Sequence, residues 1–314
     1  MTSQYYLKCG LLSIPLLFST FTNASIGDGP RAYLPPPVDS NVFLLYGLTT
    51  SGNSVINSGI VTPNLNIEVD LAVIQYTRTM DILGNYTSFT VVQPFGELES
   101  SVNFDLASRF DTRQKSQGLG DTQLLLSFGL YNLPPLTLKT YQTYKPTFAV
   151  GGLVRLSLPT GEYSSSKQAN LGGNRYSLQF GTPITFGFGD SFLDPNLTTL
   201  DFVPSVTLFD DNNEPFNADL TGQKPMYKLE SHLTHNFNPG LWLSLDALYE
   251  YGGETKTDGI SQNNKQKSFS AGLTAGIQFS KRLGIKATYG KVLDHNENGL
   301  DGDFVRINMT FTQF

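Results

Sequence analysis

The chain has 314 residues and a formal net charge of −6, and its charged residues make up 15%, well under the roughly 25% usual in soluble domains. Mild acidity without a basic cluster excludes nucleic acid as a partner, and a single cysteine excludes a disulfide framework. Gly, Ser, Thr, Asn and Tyr are abundant, and no stretch after residue 24 is apolar enough for a membrane helix.

Residues 1–24 have the layout of a secretory signal peptide. Lys8 is the sole charge, an apolar stretch runs from Cys9 to Phe21, and Thr22-Asn23-Ala24 offers a small residue for cleavage before Ser25. Pro15 interrupts the run, so it falls short of the roughly 18 residues of a membrane helix. Removing the signal takes Lys8 and Cys9 with it, so the charge of −6 becomes −7 and no cysteine remains. Residues 25–41 carry Pro35-Pro36-Pro37 and no periodicity, and are expected as an extended periplasmic N-terminal leader.

From Val42 onward, apolar and polar residues alternate with the period of a β-strand. Val42 to Ser51 is the first predicted strand. Leu65 to Thr79 is the second, with Leu65, Ile67, Val69, Leu71 and Val73 on one face and Glu68 and Asp70 on the other. Asp81 to Asn85 turns into Tyr86 to Phe95. Thr122, Leu124, Leu126, Phe128 and Leu130 make the next greasy face. Phe148, Val150, Val154, Leu156 and Leu158 follow, opposed by Arg155. Tyr176, Leu178, Phe180, Ile184, Phe186 and Phe188 oppose Arg175, Ser177 and Gln179. Leu200, Phe202, Val206 and Leu208 oppose Asp201, Ser205 and Thr207.

Met226 to Tyr251 is the clearest hairpin. Its odd face carries Tyr227, Leu229, Leu233, Phe237, Leu241, Leu243, Leu245, Tyr249 and Tyr251, and its even face Lys228, Glu230, His232, Asp246 and Glu250. Asn238-Pro239-Gly240 supplies a fixed φ and then a residue free to take positive φ, which suits a tight turn. The arms have the roughly 11 residues that span a membrane when tilted. In a soluble sandwich the apolar face turns inward. In an outer-membrane barrel it turns to lipid and aromatic residues collect at the strand ends, which is where Tyr227, Phe237, Tyr249 and Tyr251 lie. A three-residue loop sets Phe237 opposite Leu241, Thr234 opposite Ser244, His232 opposite Asp246 and Lys228 opposite Glu250. After the hairpin come Phe269 to Phe279, then Ile285, Ala287 and Tyr289 opposed by Lys286, then Val305, Ile307, Met309 and Phe311 opposed by Arg306.

Short connectors (238–240, 280–282) alternate with long polar ones (159–174, 210–225, 252–267), the outer-membrane arrangement. Counting gives 12 strands if Val102 to Phe110 belongs to a loop and 13 if it spans, and single-chain bacterial barrels have even numbers. The expected fold is all-β: a transmembrane antiparallel β-barrel of 12 strands over residues 42–314 in the bacterial outer membrane, both termini periplasmic. Gly96–Gly118 is then an extracellular excursion or a partial plug.

These residues resemble the meta-pathway phenol-degradation family of outer-membrane transporters. The matches run from Arg31-Ala32-Tyr33 and Pro35-Pro36-Pro37 through Gly118-Leu119-Gly120-Asp121, Leu158-Pro159-Thr160-Gly161-Glu162-Tyr163 and Asn170-Leu171-Gly172-Gly173-Asn174-Arg175. They continue with Phe209-Asp210-Asp211-Asn212-Asn213, Gln223-Lys224-Pro225-Met226-Tyr227, His232, Tyr251-Gly252-Gly253 with Thr255, and Asp258-Gly259. Lys224 and Met226 depart from the family's usual residues. The resemblance implies a barrel that imports small aromatic or other hydrophobic compounds, and it carries no catalytic residue.

No catalytic set, cofactor or metal is expected. His232 and His235 are three apart and face opposite sides of a strand, and His295 lies in a polar loop, whereas zinc needs about four convergent ligands. Asp294 to Asp303 lacks the spacing and terminal Glu of a calcium loop. No Ser-His-acid set is legible beside Ser231. The candidate lumen-lining residues are Arg155, Arg175, Lys228, Glu230, His232, Asp246, Glu250, Lys286 and Arg306. They either fill a closed barrel with ion pairs or line a pore that screens solutes, with His232 beside Asp246 as the group that titrates near neutral pH. Outer-membrane lipid, lipopolysaccharide, the barrel-assembly machinery and a small hydrophobic or aromatic solute are the expected partners. The alternative is a structural or adhesive barrel that transports nothing.

Overall fold

Twelve strands close on themselves in the computed structural model, which describes residues 27–54, 61, 65–102, 113–145 and 147–314. The expected signal peptide and the larger part of Val102 to Phe110 lie outside the described residues. In chain order the elements are β1 (Asn41–Gly52), β2 (Leu65–Ile82), β3 (Asn85–Val102), β4 (Gln114–Leu119), β5 (Gln123–Tyr131), α1 (Leu138–Tyr141), β6 (Phe148–Ser157), β7 (Ser177–Gly181), β8 (Ile184–Phe188) and β9 (Thr198–Phe209). They continue with β10 (Thr221–Gln223), β11 (Met226–Asn238), β12 (Leu241–Gly252), β13 (Thr255–Thr257), β14 (Ile260–Ser261), β15 (Gln266–Gln278), β16 (Leu283–His295) and β17 (Gly302–Gln313). β1 pairs with β17 from Asn41↔Gln313 to Gly52↔Gly302, and β9 pairs with β11, so the sheet has no open edge. Closure satisfies every strand's backbone without water, as a hydrocarbon environment requires.

β7 and β8 make one wall strand that Thr182-Pro183 interrupts. Pro183 has no N–H to give the ladder, and the wall is held there by Gly151 N–H to the Pro183 carbonyl (2.8 Å) and Thr182 N–H to the Pro204 carbonyl (3.0 Å). β10, β13 and β14 form a separate three-stranded sheet in the long connections beyond β9 and β12.

The hairpin β11–β12 turns its leucines outward: Leu229, Leu233, Leu243 and Leu245 are exposed, with Tyr227, Phe237, Tyr249 and Tyr251 exposed at the ends. The pairings Thr234↔Ser244, His232↔Asp246 and Lys228↔Glu250 are those the register count expects. Phe237 is a correction: it does not face Leu241 but bulges out, and Asn238 takes that place, leaving a two-residue turn of Pro239 and Gly240. Asn238 Oδ1 accepts from Gly240 N–H (2.9 Å), which fixes the turn from the side-chain end.

β2 breaks the outward rule. Leu65, Ile67, Val69 and Val73 are buried on the inner side, while Glu68 and Asp70 are exposed. Two causes combine. Over residues 65–70 the outward phase is polar, and the inner face of β2 and β3 packs with Leu98, Ala169 and Leu171 as a small core. Further along, the outward positions are Ile74 and Tyr76, so lipid is met by the other phase of the strand. Gly96–Gly118 is not a loop throughout. β3 continues through Gly96 to Val102, paired with β2 on one side and β4 on the other. At Gly96 an added Cβ would come within 2.0 Å of the Asp70 carbonyl, so only glycine admits this close strand approach.

The connections at the end that carries β1's start are not uniformly short. The 132–147 connection holds α1, capped by Thr137, and Tyr141 and Tyr144 stack on Phe192 of the next long connection at 5.1 and 5.6 Å.

Candidate functional site

The lumen holds a cavity of about 490 Å³ whose wall is chemically two-sided. β1, β2, β3, β5 and β6 present Leu44, Leu48, Leu71, Val73, Val92, Leu125 and Leu153 to it. This follows from the sequence of β1, where both phases are apolar: Phe43 and Leu45 meet lipid while Val42, Leu44 and Leu48 turn in. Across the cavity, β11, β12, β16 and β17 present Lys228, Glu230, Glu250, Lys286 and Arg306. Lys228 Nζ and Glu250 Oε1 pair at 2.6 Å, the cross-strand opposition that antiparallel register gives to two inward residues.

Behind Glu230 lies a sealed polar group. His232 is fully buried, with Nε2 2.6 Å from Glu230 Oε1 and Nδ1 2.6 Å from Asp246 Oδ1. Each ring nitrogen therefore faces a carboxylate oxygen at hydrogen-bond distance, an arrangement that a doubly protonated ring between two anions satisfies in full. Asp246 also accepts from the hydroxyls of Ser244 and Thr274, each at 2.6 Å. His232 and Asp246 thus sit on the inner side, as their phase requires, but do not line the cavity. Arg175 is a correction of another kind. It lies in the connection before β7, buried, donating to Gln223 and stacked 4.6 Å over the ring of Phe209. Its job is to tie two long connections together. Arg155 does reach the cavity.

The largest departure from expectation is the leader. Residues 27–36 do not extend away into the periplasm; they line the lumen, where charged groups of four strands meet them. Arg155 Nη2 donates to both Asp28 carboxylate oxygens at 2.7 and 2.6 Å. Gly29 N–H donates to Glu230 Oε1 at 3.0 Å, and the Tyr33 hydroxyl to Glu230 Oε2 at 3.0 Å. Lys286 Nζ donates to the Pro30 carbonyl at 2.9 Å and Arg306 Nη1 to the Gly27 carbonyl at 3.1 Å. Arg31 donates to Asn236 and stacks 4.6 Å over Trp242. Gly27 and Gly29 have φ of +51° and +87°, and a Cβ on Gly27 would fall 1.8 Å from Glu230 Oε2. Both the conformation and the fit therefore need glycine.

The long connections are cross-braced near the other mouth. The Asp121 carboxylate accepts from Gly161 N–H (2.9 Å) and Gly173 N–H (2.8 Å), pinning residues 158–176 to the β4–β5 corner.

Residues 48–308 match the family model described as "Putative MetA-pathway of phenol degradation". Among solved structures, an outer-membrane channel from Pseudomonas putida F1 is similar at a TM-score of 0.73 and 19% identity, over 91% of this chain and 99% of that one. The translocator domain of the autotransporter NalP from Neisseria meningitidis aligns at a TM-score of 0.48 and 10% identity, over 89% of this chain and 90% of that one. The first of these supports the closed outer-membrane barrel as the fold; the second is too distant to add to it. No curated protein sequence matches the chain.

Proposed function

The chain belongs to the family of the MetA-pathway of phenol degradation, and from that premise we propose that it is an outer-membrane channel for passive uptake of small hydrophobic or aromatic compounds. The observation that carries this reading is the two-sided lumen. A barrel serving only as a wall would fill its interior with paired side chains, whereas here a cavity remains in which Leu44, Leu71, Val73, Val92 and Leu125 give apolar surface among the hydroxyl and amide groups of Thr77, Ser88, Thr90 and Gln123. Such a wall lowers the cost of desolvating an apolar ring, while the opposite ionic wall keeps a polar substituent solvated. In this reading residues 1–24 are the export signal, the barrel-assembly machinery inserts residues 42–314, and lipid and lipopolysaccharide meet the outer face. No chemical step is assigned to the barrel.

A strain lacking the protein should take up an aromatic growth substrate more slowly at limiting concentration, and catch up when the substrate is abundant. Uptake unchanged over a broad panel of aromatics would overturn the channel reading and favour the structural barrel.

A further inference from the structure

Three cations from three strands converge on four residues of the leader. Arg155 of β6 holds the Asp28 carboxylate, Arg306 of β17 holds the Gly27 carbonyl, and Lys286 of β16 holds the Pro30 carbonyl. They form one cluster: a Cβ on Gly29 would lie 2.1 Å from Arg306 Nη2 and 3.8 Å from Lys286 Nζ, and Gly29 adjoins Asp28. Among the described residues, Asp28 is the only carboxylate within ion-pair distance of Arg155, and none lies that close to Lys286 or Arg306. Arg306 is 8% exposed, and its Nε and Nη2, like Nε of Arg155, have no hydrogen-bond partner.

The other inward carboxylates are taken. Glu230 and Asp246 flank His232, Glu250 pairs with Lys228, and Asp201 accepts from the Thr185 hydroxyl at 2.6 Å. Asp28, brought by the leader, therefore pairs with Arg155 alone, and Lys286 and Arg306 meet the leader only through the Pro30 and Gly27 carbonyls. Unpaired buried donors are costly, so the cluster favours a further oxygen anion. The apolar wall of Leu44, Leu71 and Val73 lines the same cavity.

We propose that this cluster is a carboxylate subsite, that Asp28 occupies it as a built-in stand-in for the solute, and that the solutes admitted are small monocarboxylates with an apolar or aromatic body. This rests on the channel reading and adds the charge of the solute to it. A carboxylate that displaces Asp28 gains the bidentate Arg155 pair and the free Arg306 donors, while its ring lies on the leucine wall. An uncharged ring gains only the wall.

The test is block of single-channel current by sodium benzoate and by benzamide, which share a ring and differ in charge. Refolded full chain should be blocked by benzoate at concentrations at least tenfold lower than by benzamide. Asp28→Asn removes the competing carboxylate and leaves the barrel strands intact; it should lower the benzoate concentration needed several-fold and leave benzamide unchanged. Arg155→Met and Arg306→Met should bring benzoate to the level of benzamide. Equal block by the two solutes in the unaltered chain would overturn the carboxylate subsite while leaving a channel in place. Asp28→Asn without effect on benzoate would overturn the stand-in role. An absence of current, with normal uptake in the deletion strain, would remove the channel reading and this one with it.

Discussion

His232 carries a carboxylate 2.6 Å from each ring nitrogen and no exposed surface, so its charge is fixed by its partners. Replacing it with Gln leaves one amide N–H₂ for two anions, and turns the amide oxygen toward the other carboxylate. Breaking a buried ion pair by removing one partner costs about 3–5 kcal/mol. His232→Gln should therefore lower the unfolding free energy of the refolded barrel by about that amount, read as a lower denaturant midpoint at unchanged slope. A loss under about 1 kcal/mol would mean that water reaches the group and that the seal is not closed. Glycine at position 29 is testable in the opposite sense. Gly29→Val places a branched side chain at positive φ and against Arg306, so the leader should leave its seat with little loss of barrel stability. Cleavage of the leader by added protease, slow in the unaltered chain and fast in Gly29→Val, reads this directly.

Among the elements, the connection over residues 158–176 depends on Asp121. Asparagine there can accept from Gly161 or Gly173 but not from both with the same geometry, and one part-buried N–H is left without its anion. The loss is about 1–3 kcal/mol, confined to the connection. Asp121→Asn should speed hydrogen exchange at Gly161 and Gly173 and leave the β11–β12 amides as slow as before. The hairpin itself was legible in the sequence because its two phases differ sharply, Leu and Tyr against Lys, Glu, His and Asp, so period and register followed from counting. β2 was misread because both phases are apolar over part of its length. Leu71 and Val73 look like lipid-facing residues until Ile74 and Tyr76 are known to take that role. Alternation identifies a strand but not its outer face when the lumen is itself greasy. The leader was misread for a different reason: its partners Arg155, Glu230, Lys286 and Arg306 lie more than a hundred residues away, and no local pattern encodes them.

For the whole molecule, the strand count, closure and two-sided lumen define a barrel with an inserted segment near its middle. The up-and-down order puts 158–176, 210–225 and 253–265 at one mouth and the turns 83–84, 239–240 and 279–282 at the other, with the start of β1 and the end of β17. If the first mouth faces outward, protease added to intact cells should cut within 253–265 and spare 279–282. Cleavage at 279–282 alone would invert the orientation. We propose that the lumen as a whole is a solute path which the leader occupies. It is tested most directly by planar-bilayer recording of the refolded full chain beside a chain lacking residues 27–37. A small ohmic conductance in the full chain and a several-fold larger one in the truncated chain, with both reduced by aromatic solutes, is the expected result. Equal conductance in the two chains, or none in either, would contradict it.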